Sequence, residues 1–260
     1  MECHGLILGE IKMIQDIHSH TYYSFCGKDE PETIVKAAIA GGIELFGICD
    51  HNYGVLYGEK SIFKSGNEFS FYDCNRSLKR YYDHICLIKE KYSKKIKILA
   101  GIEVATRGHS QYVLPDVADI SIFDYCLIEN ICEDASITNG DIFSFAKMCG
   151  CPMGIAHTDM FAFIEKIGED PLEYFSKMAE AGIFWEMNVS FDSIHNYREH
   201  EYVKEFFANG EQQKIVRESG VRLSVGFDGH RVEDYLPERV RAACEKIESM
   251  GIRLAFDKEK

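Results

Sequence analysis

The chain has 260 residues, 46% of them hydrophobic, and a formal net charge of −13 from 42 acidic and 29 basic side chains. That length buries a sizeable core as one domain, no stretch reaches the length of a membrane span, and the acidic balance counts against binding long nucleic acids through their phosphates. Ten cysteines are only about 4% of the residues, below the density of a disulfide scaffold; none forms a C-x-x-C pair and no cationic start leads into a secretory-type apolar segment, so a reducing cytoplasm is the expected home.

In chain order, apolar runs that read as buried strands fall at residues 11–16, 43–49, 96–103, 123–131, 152–156, 184–188 and 222–226, seven in all. The first helix opens on Pro31 behind Asp29 and Glu30, and Gly41-Gly42 stops it. Helical spacing of Leu78, Tyr82, Ile85 and Ile88 predicts a helix over 74–92, and further helices are expected over 141–148, 171–181, 201–219 and 238–250, most of them ending at glycine. Residues 53–72 mix Gly, Ser, Lys and aromatics without a period, and are expected to form a long loop on the ligand-bearing face, either a lid or part of the substrate pocket. Strand and helix alternating in this way predicts an α/β fold, a barrel of parallel strands joined by right-handed crossovers, spanning 1–260 as a single domain.

Metal-ligand residue types recur where these strands end. His18 and His20 follow the first strand, two apart and so on one side of extended chain. Asp50 and His51 end the second, Glu103 the third, His157 the fifth, and Asp228 and His230 the seventh. Imidazoles and carboxylates are what zinc, manganese and iron bind, and in α/β barrels the site sits at the carboxyl ends of the strands. His4, His84, His109, His195 and His200 do not share this placement and are read as surface or core histidines. Arg107 and Arg231 follow ligand-bearing strand ends and offer planar forks for a phosphate. Glu186 and Asn188 share a side at the end of the sixth strand, where they could contact substrate or hydrogen-bond across the barrel mouth.

The ordered set resembles the polymerase-and-histidinol-phosphatase (PHP) superfamily, and most its stand-alone histidinol-phosphatase-type phosphoesterases. It runs from Asp16-Ile17-His18-Ser19-His20-Thr21 through Ile48-Cys49-Asp50-His51-Asn52, Gly101-Ile102-Glu103-Val104, Ile155-Ala156-His157-Thr158 and Trp185-Glu186-Met187-Asn188 to Gly226-Phe227-Asp228-Gly229-His230-Arg231. The resemblance implies a distorted seven-stranded (β/α)7 barrel holding two or three divalent ions of zinc, manganese or iron. His18, His20, Glu103 and Asp228 would hold the first, Glu103 would bridge to a second bound by His157, and His51 and His230 would hold a third. Asp50 would orient a ligand imidazole. Cys26 stands where some members place a histidine, and Asn130 or Glu129 falls where many carry a histidine for the second metal. Asparagine is a poor zinc ligand, so Asn130 points to a weaker second site.

The chemistry this implies is hydrolysis of a small phosphate ester by a metal-bound hydroxide, with L-histidinol phosphate as one candidate and Asp228 or His230 as the acid for the leaving oxygen. The alternatives are a nucleotide or short-oligonucleotide phosphodiesterase or exonuclease, and a weakly active metal-binding regulatory domain.

Overall fold

The computed structural model describes residues 13–60, 74–107, 114–115 and 118–257. Seven parallel strands, β1 (Gln15–Asp16), β2 (Leu45–Ile48), β3 (Lys97–Ala105), β4 (Tyr125–Glu129), β5 (Met153–Ile155), β6 (Phe184–Asn188) and β7 (Leu223–Gly226), pair in sequence order. The sheet curls into a nearly closed barrel. Ile17 N donates to Val225 O at 2.9 Å, Asp228 N donates to His18 O at 2.8 Å, and Ser19 bridges Gly229 in parallel register. Asp16 locks the seam, its carboxylate accepting from Phe227 N at 3.0 Å and from the Tyr235 hydroxyl at 2.7 Å.

The helices lie outside the barrel: α1 (Pro31–Ala40), α2 (Asn52–Lys60), α3 (Cys74–Tyr92), α4 (Ile142–Cys149), α5 (Met160–Ile167), α6 (Pro171–Glu180), α7 (Glu201–Ala208), α8 (Gly210–Ser219) and α9 (Pro237–Ser249). Side chains of Asp141, Asp159 and Asp170 accept from backbone N–H groups in the first turns of α4, α5 and α6, satisfying donors that a helix start leaves orphaned. The structure differs from the sequence reading in three places. The expected loop over 53–72 begins as α2, and residues 61–73 lie outside the described residues. A helix, α5, stands between β5 and α6. The single helix expected over 201–219 is two, because Asn209 leaves helical geometry (φ −104°, ψ 102°) and its side chain caps α8.

Alternation along the strands divides the core in two. Outward rows such as Phe46, Ile48, Ile98, Ile102 and Ile128 pack under the helices. Inward rows bring Ile17, Leu45, Leu99, Tyr125, Leu127 and Phe184 together inside the barrel, with Phe256 packed against them. Glycines make room for the large rings: a Cβ on Gly47 or Gly101 would overlap Tyr125, and one on Gly154 would overlap Phe184. Each fully buried apolar side chain contributes about 1.5–3 kcal/mol, so this plug anchors the lower half of the barrel and leaves the upper half for polar residues.

Candidate metal centre

The same inward rows carry the polar residues upward. On β3, Leu99 and Gly101 are followed two residues on by Glu103; on β4, Tyr125 and Leu127 are followed by Glu129; on β6, Phe184 is followed by Glu186 and Asn188. Asn130, His157 and Asp228, just past the ends of β4, β5 and β7, have φ of 65°, 23° and 56°. A non-glycine residue there costs about 1–3 kcal/mol and is held only when its surroundings over-determine it.

His18, His20, Glu103 and Asp228 converge. His18 Nε2 lies 3.1 Å from His20 Nε2, 3.4 Å from Glu103 Oε1 and 3.5 Å from Asp228 Oδ1. His20 Nε2 lies 3.4 Å from Glu103 Oε2 and 3.0 Å from Asp228 Oδ1. Glu103 also reaches His157 Nε2 at 3.1 Å and His51 Nδ1 at 2.9 Å, so one carboxylate faces four imidazoles. His51 and Glu103 are close, yet His51 Nδ1 and Glu103 Oε2 are buried without a hydrogen bond. Atoms so placed suit a shared third atom better than each other.

Neighbours fix the rings. Glu186 accepts from His18 Nδ1 at 2.7 Å and from His157 N at 2.8 Å, leaving His18 Nε2 to face inward. Asn188 donates to Asp228 at 3.3 Å and to Glu186 at 3.4 Å. Both are buried, so the hydrogen bonding across the mouth that the sequence allowed is the arrangement found, and no substrate contact is needed to occupy them. Asp50 reaches the rings one step removed: it accepts from Thr21 N, Thr21 Oγ1 and Ser24 Oγ, each at 2.7 Å, and Ser24 Oγ lies 3.3 Å from His20 Nδ1.

Cys26 is brought to the rings, its Sγ grouped with His20 and His51 nitrogens within 4.8 Å of one another. Asn130 stands one residue beyond the inward row, its Oδ1 buried and without a hydrogen bond, and the adjacent Glu129 approaches His51 Nδ1 at 3.6 Å and His157 Nε2 at 3.9 Å. Arg107 is exposed and paired with Glu133 at 2.9 Å. Arg231 lines a cleft with Lys28 and Thr33 and lies 3.6 Å from Glu233. Neither arginine is brought against the imidazoles.

The sequence reading missed Asp192 and His195, in the connection after β6. Asp192 accepts from His195 Nδ1 at 2.7 Å and lies 3.3 Å from His230 Nδ1, while His195 Nε2 lies 3.2 Å from Asp228. His200, also set aside, stacks 6.2 Å from His157. Their signal was position alone: all three fall between a strand end and the next helix. His84 hydrogen-bonds Tyr23 at 2.9 Å, away from this set; His4 and His109 lie outside the described residues.

Burial opposes charge throughout, and mutual attraction overcomes it at most positions. It pulls His18 down, but Glu186 and Asp228 hold its pKa well above the usual imidazole range; Glu103 does the same for His51 and raises His157 to about 9. His20 is the exception, brought down to about 3 by burial and by His51. Glu103, despite burial, is held well below the usual carboxylate range by His51 and His18, as Asp228 is by His18 and His230. Without cations, imidazole protons balance these carboxylates; divalent ions held by the same donor atoms would replace those protons.

A parallel α/β barrel with a buried histidine–carboxylate set at the carboxyl ends of its strands is the architecture of a metal-dependent hydrolase. The PHP domain matches residues 16–236, and the chain belongs to that family as a metal-dependent phosphoesterase. Its fold is similar to that of a histidinol phosphate phosphatase from Lactococcus lactis subsp. lactis, solved with zinc, L-histidinol and phosphate: identity is 16%, 94% of this chain and 98% of that one are covered, and the TM-score is 0.54. It is also similar to the metal-dependent tyrosine phosphatases YwqE from Bacillus subtilis and CpsB from Streptococcus pneumoniae, at 16% identity, 89% and 86% coverage and a TM-score of 0.51. No curated protein matches the chain in sequence. Among the described residues, no helix is long and apolar enough to cross a membrane.

Proposed function

We propose that the chain hydrolyses a small phosphate monoester, with L-histidinol phosphate as the first candidate. The observation that carries the reading is the buried convergence of His18, His20, Glu103 and Asp228, with nitrogen–oxygen distances of 3.0–3.5 Å. Support for a monoester comes from the two similar structures, one a histidinol phosphate phosphatase and the other a pair of tyrosine phosphatases.

In this reading His18, His20, Glu103 and Asp228 hold one ion, and Glu103 extends to a second that His157 also binds. Of the two residues the sequence offered for the place beside His157, Glu129 takes it rather than Asn130. His51 and His230 hold a third, with the Cys26 thiolate as a further ligand. Zinc, manganese or iron suits these donors, the sulfur favouring zinc. When bound, such ions polarise the phosphoryl group and lower the pKa of water. The chain's own residues do the rest. Glu186 and Asp192 fix the tautomers of His18 and His230, Ser24 and Asp50 seat His20, and burial excludes bulk water from the phosphate.

The test is reconstitution with zinc, manganese or iron, followed by turnover of L-histidinol phosphate, phosphotyrosine, nucleotide phosphodiesters and short single strands. Monoester turnover that depends on the metal supports the reading. Preference for diesters makes the chain a phosphodiesterase. Ion binding without turnover of any substrate leaves a metal-binding domain and overturns the enzyme assignment.

A further inference from the structure

Between α7 and α9, beyond the carboxyl end of β6, lies a cleft of about 430 Å³, a volume within the range of small-molecule sites. Val189 and Val203, both buried, line its inner part, and Ala208 on α7 with Ala242 and Ala243 on α9 leave the gap unfilled where longer side chains would close it. Arg239, Ala242, Ala243 and Lys246 fall three and four residues apart, so one face of α9 looks into the cleft. Three of the four charged residues along it are basic, Lys204, Arg239 and Lys246 against Glu199, on a chain whose formal charge is −13. Arg239 is fixed in place: Nε donates to Val189 O at 3.0 Å, and the guanidinium pairs with Glu199 at 2.6 Å and lies 4.9 Å over the Phe191 ring. Lys204 pairs with Glu201 at 2.6 Å. Lys246 differs. Among the described residues it makes no ion pair, and its Nζ reaches across to α7, 4.4 Å from the centre of the Phe207 ring.

We infer that this cleft binds a small amphiphilic anion, its apolar body against the valines and alanines and its single carboxylate or sulfonate on Lys246. A lysine over an exposed ring gains only about 0.5–1 kcal/mol, so an acid group that pairs with the ammonium competes with Phe207 for it. A cationic ligand would meet three like charges, and a bare inorganic anion would leave the apolar lining unmatched. None of the lining residues is a proposed metal ligand, so the cleft is distinct from the phosphate site. It does reach Asn188, whose amide donates to Asp228 at 3.3 Å.

The test is fluorescence titration of the metal-loaded protein with 1-naphthoate and with 1-naphthalenemethanol, its uncharged counterpart, in inorganic phosphate to keep the carboxylate off the metals. The native chain is expected to bind both saturably and to favour the naphthoate by roughly threefold to fivefold, the worth of one exposed ion pair. K246M keeps the apolar stem and loses the charge, so it should erase that preference and still bind the alcohol. A242W fills the cleft from an exposed position on α9 and should weaken both probes by roughly tenfold or more, since a ligand site encloses most of its ligand. Absence of saturable naphthoate binding, a preference that K246M leaves intact, or affinities unmoved in A242W overturns the inference. K246M decides alone if A242W does not fold. Binding is read without turnover, so the result stands apart from the monoester reading.

Discussion

The two ends of the barrel interior are built by the same inward rows and have opposite chemistry. At the lower end Leu99, Tyr125, Leu127 and Phe184 fill the space; two residues or more further along the same strands stand Glu103, Glu129 and Glu186. The apolar end stabilises by burial and tolerates no gap. The polar end buries carboxylates and imidazoles that only pairing or cations compensate, and it adds left-handed backbone at His157 and Asp228. The contrast teaches that stability and chemistry are separable here by a shift of a few residues along one strand.

The largest separation is expected from E103Q. Loss of the charge shared by four imidazoles should abolish tight binding of at least two ions and lower phosphatase turnover by roughly a hundredfold or more, while circular dichroism stays native. Elemental analysis with kinetics checks it, and a folded variant with native turnover would break the division. At the other end, F184A removes a ring seated over Gly154 and against Phe256. It should cost about 3–5 kcal/mol in denaturant unfolding, with much less loss of turnover per folded molecule than E103Q shows.

A smaller effect is expected from E186Q, which keeps the shape but weakens the partner of His18 Nδ1. Metal affinity or turnover should fall by roughly 10–100-fold, measured by competition with a chelator. The smallest belongs to C26S, which should lower occupancy of one ion of three and leave the ions at His18 and His157 in place. Site-resolved alkylation should show native Cys26 protected by metal and exposed on its removal; reactivity indifferent to metal would take Cys26 out of the ligand set.

Much of this division was legible in the sequence, because a period of two and a strand end are both visible in a one-dimensional string. Seven apolar runs marked the seven strands, and His18, His20, His51, Glu103, His157, Asp228 and His230 each followed one. The choice between Asn130 and Glu129 was left open, although parity bears on it: Leu127 and Glu129 share one, and Asn130 does not. Asp192 and His195 were harder. They lie in an irregular connection where no period relates one residue to the next, and only the tertiary path brings them to His230 and Asp228. The helix α2 was obscured by Gly54 and Gly58, which dilute its apolar face, and the break at Asn209 by a sequence whose helical spacing runs straight through it.

The seam between β1 and β7 has a consequence for the order in which the molecule becomes competent. Asp16, His18 and Ser19 meet Phe227, Asp228 and Gly229 across the full length of the fold. A nascent chain that has emerged only as far as β6 already carries His18, His20, Glu103 and His157, but it lacks the Asp228 carboxylate and the backbone that seats His18 and His20. Its donor set is open on one side until β7 docks. Metal capture at the proposed first site should therefore report the docking of β7, and pulse-labelled chains arrested before residue 226 should bind zinc more weakly than released ones.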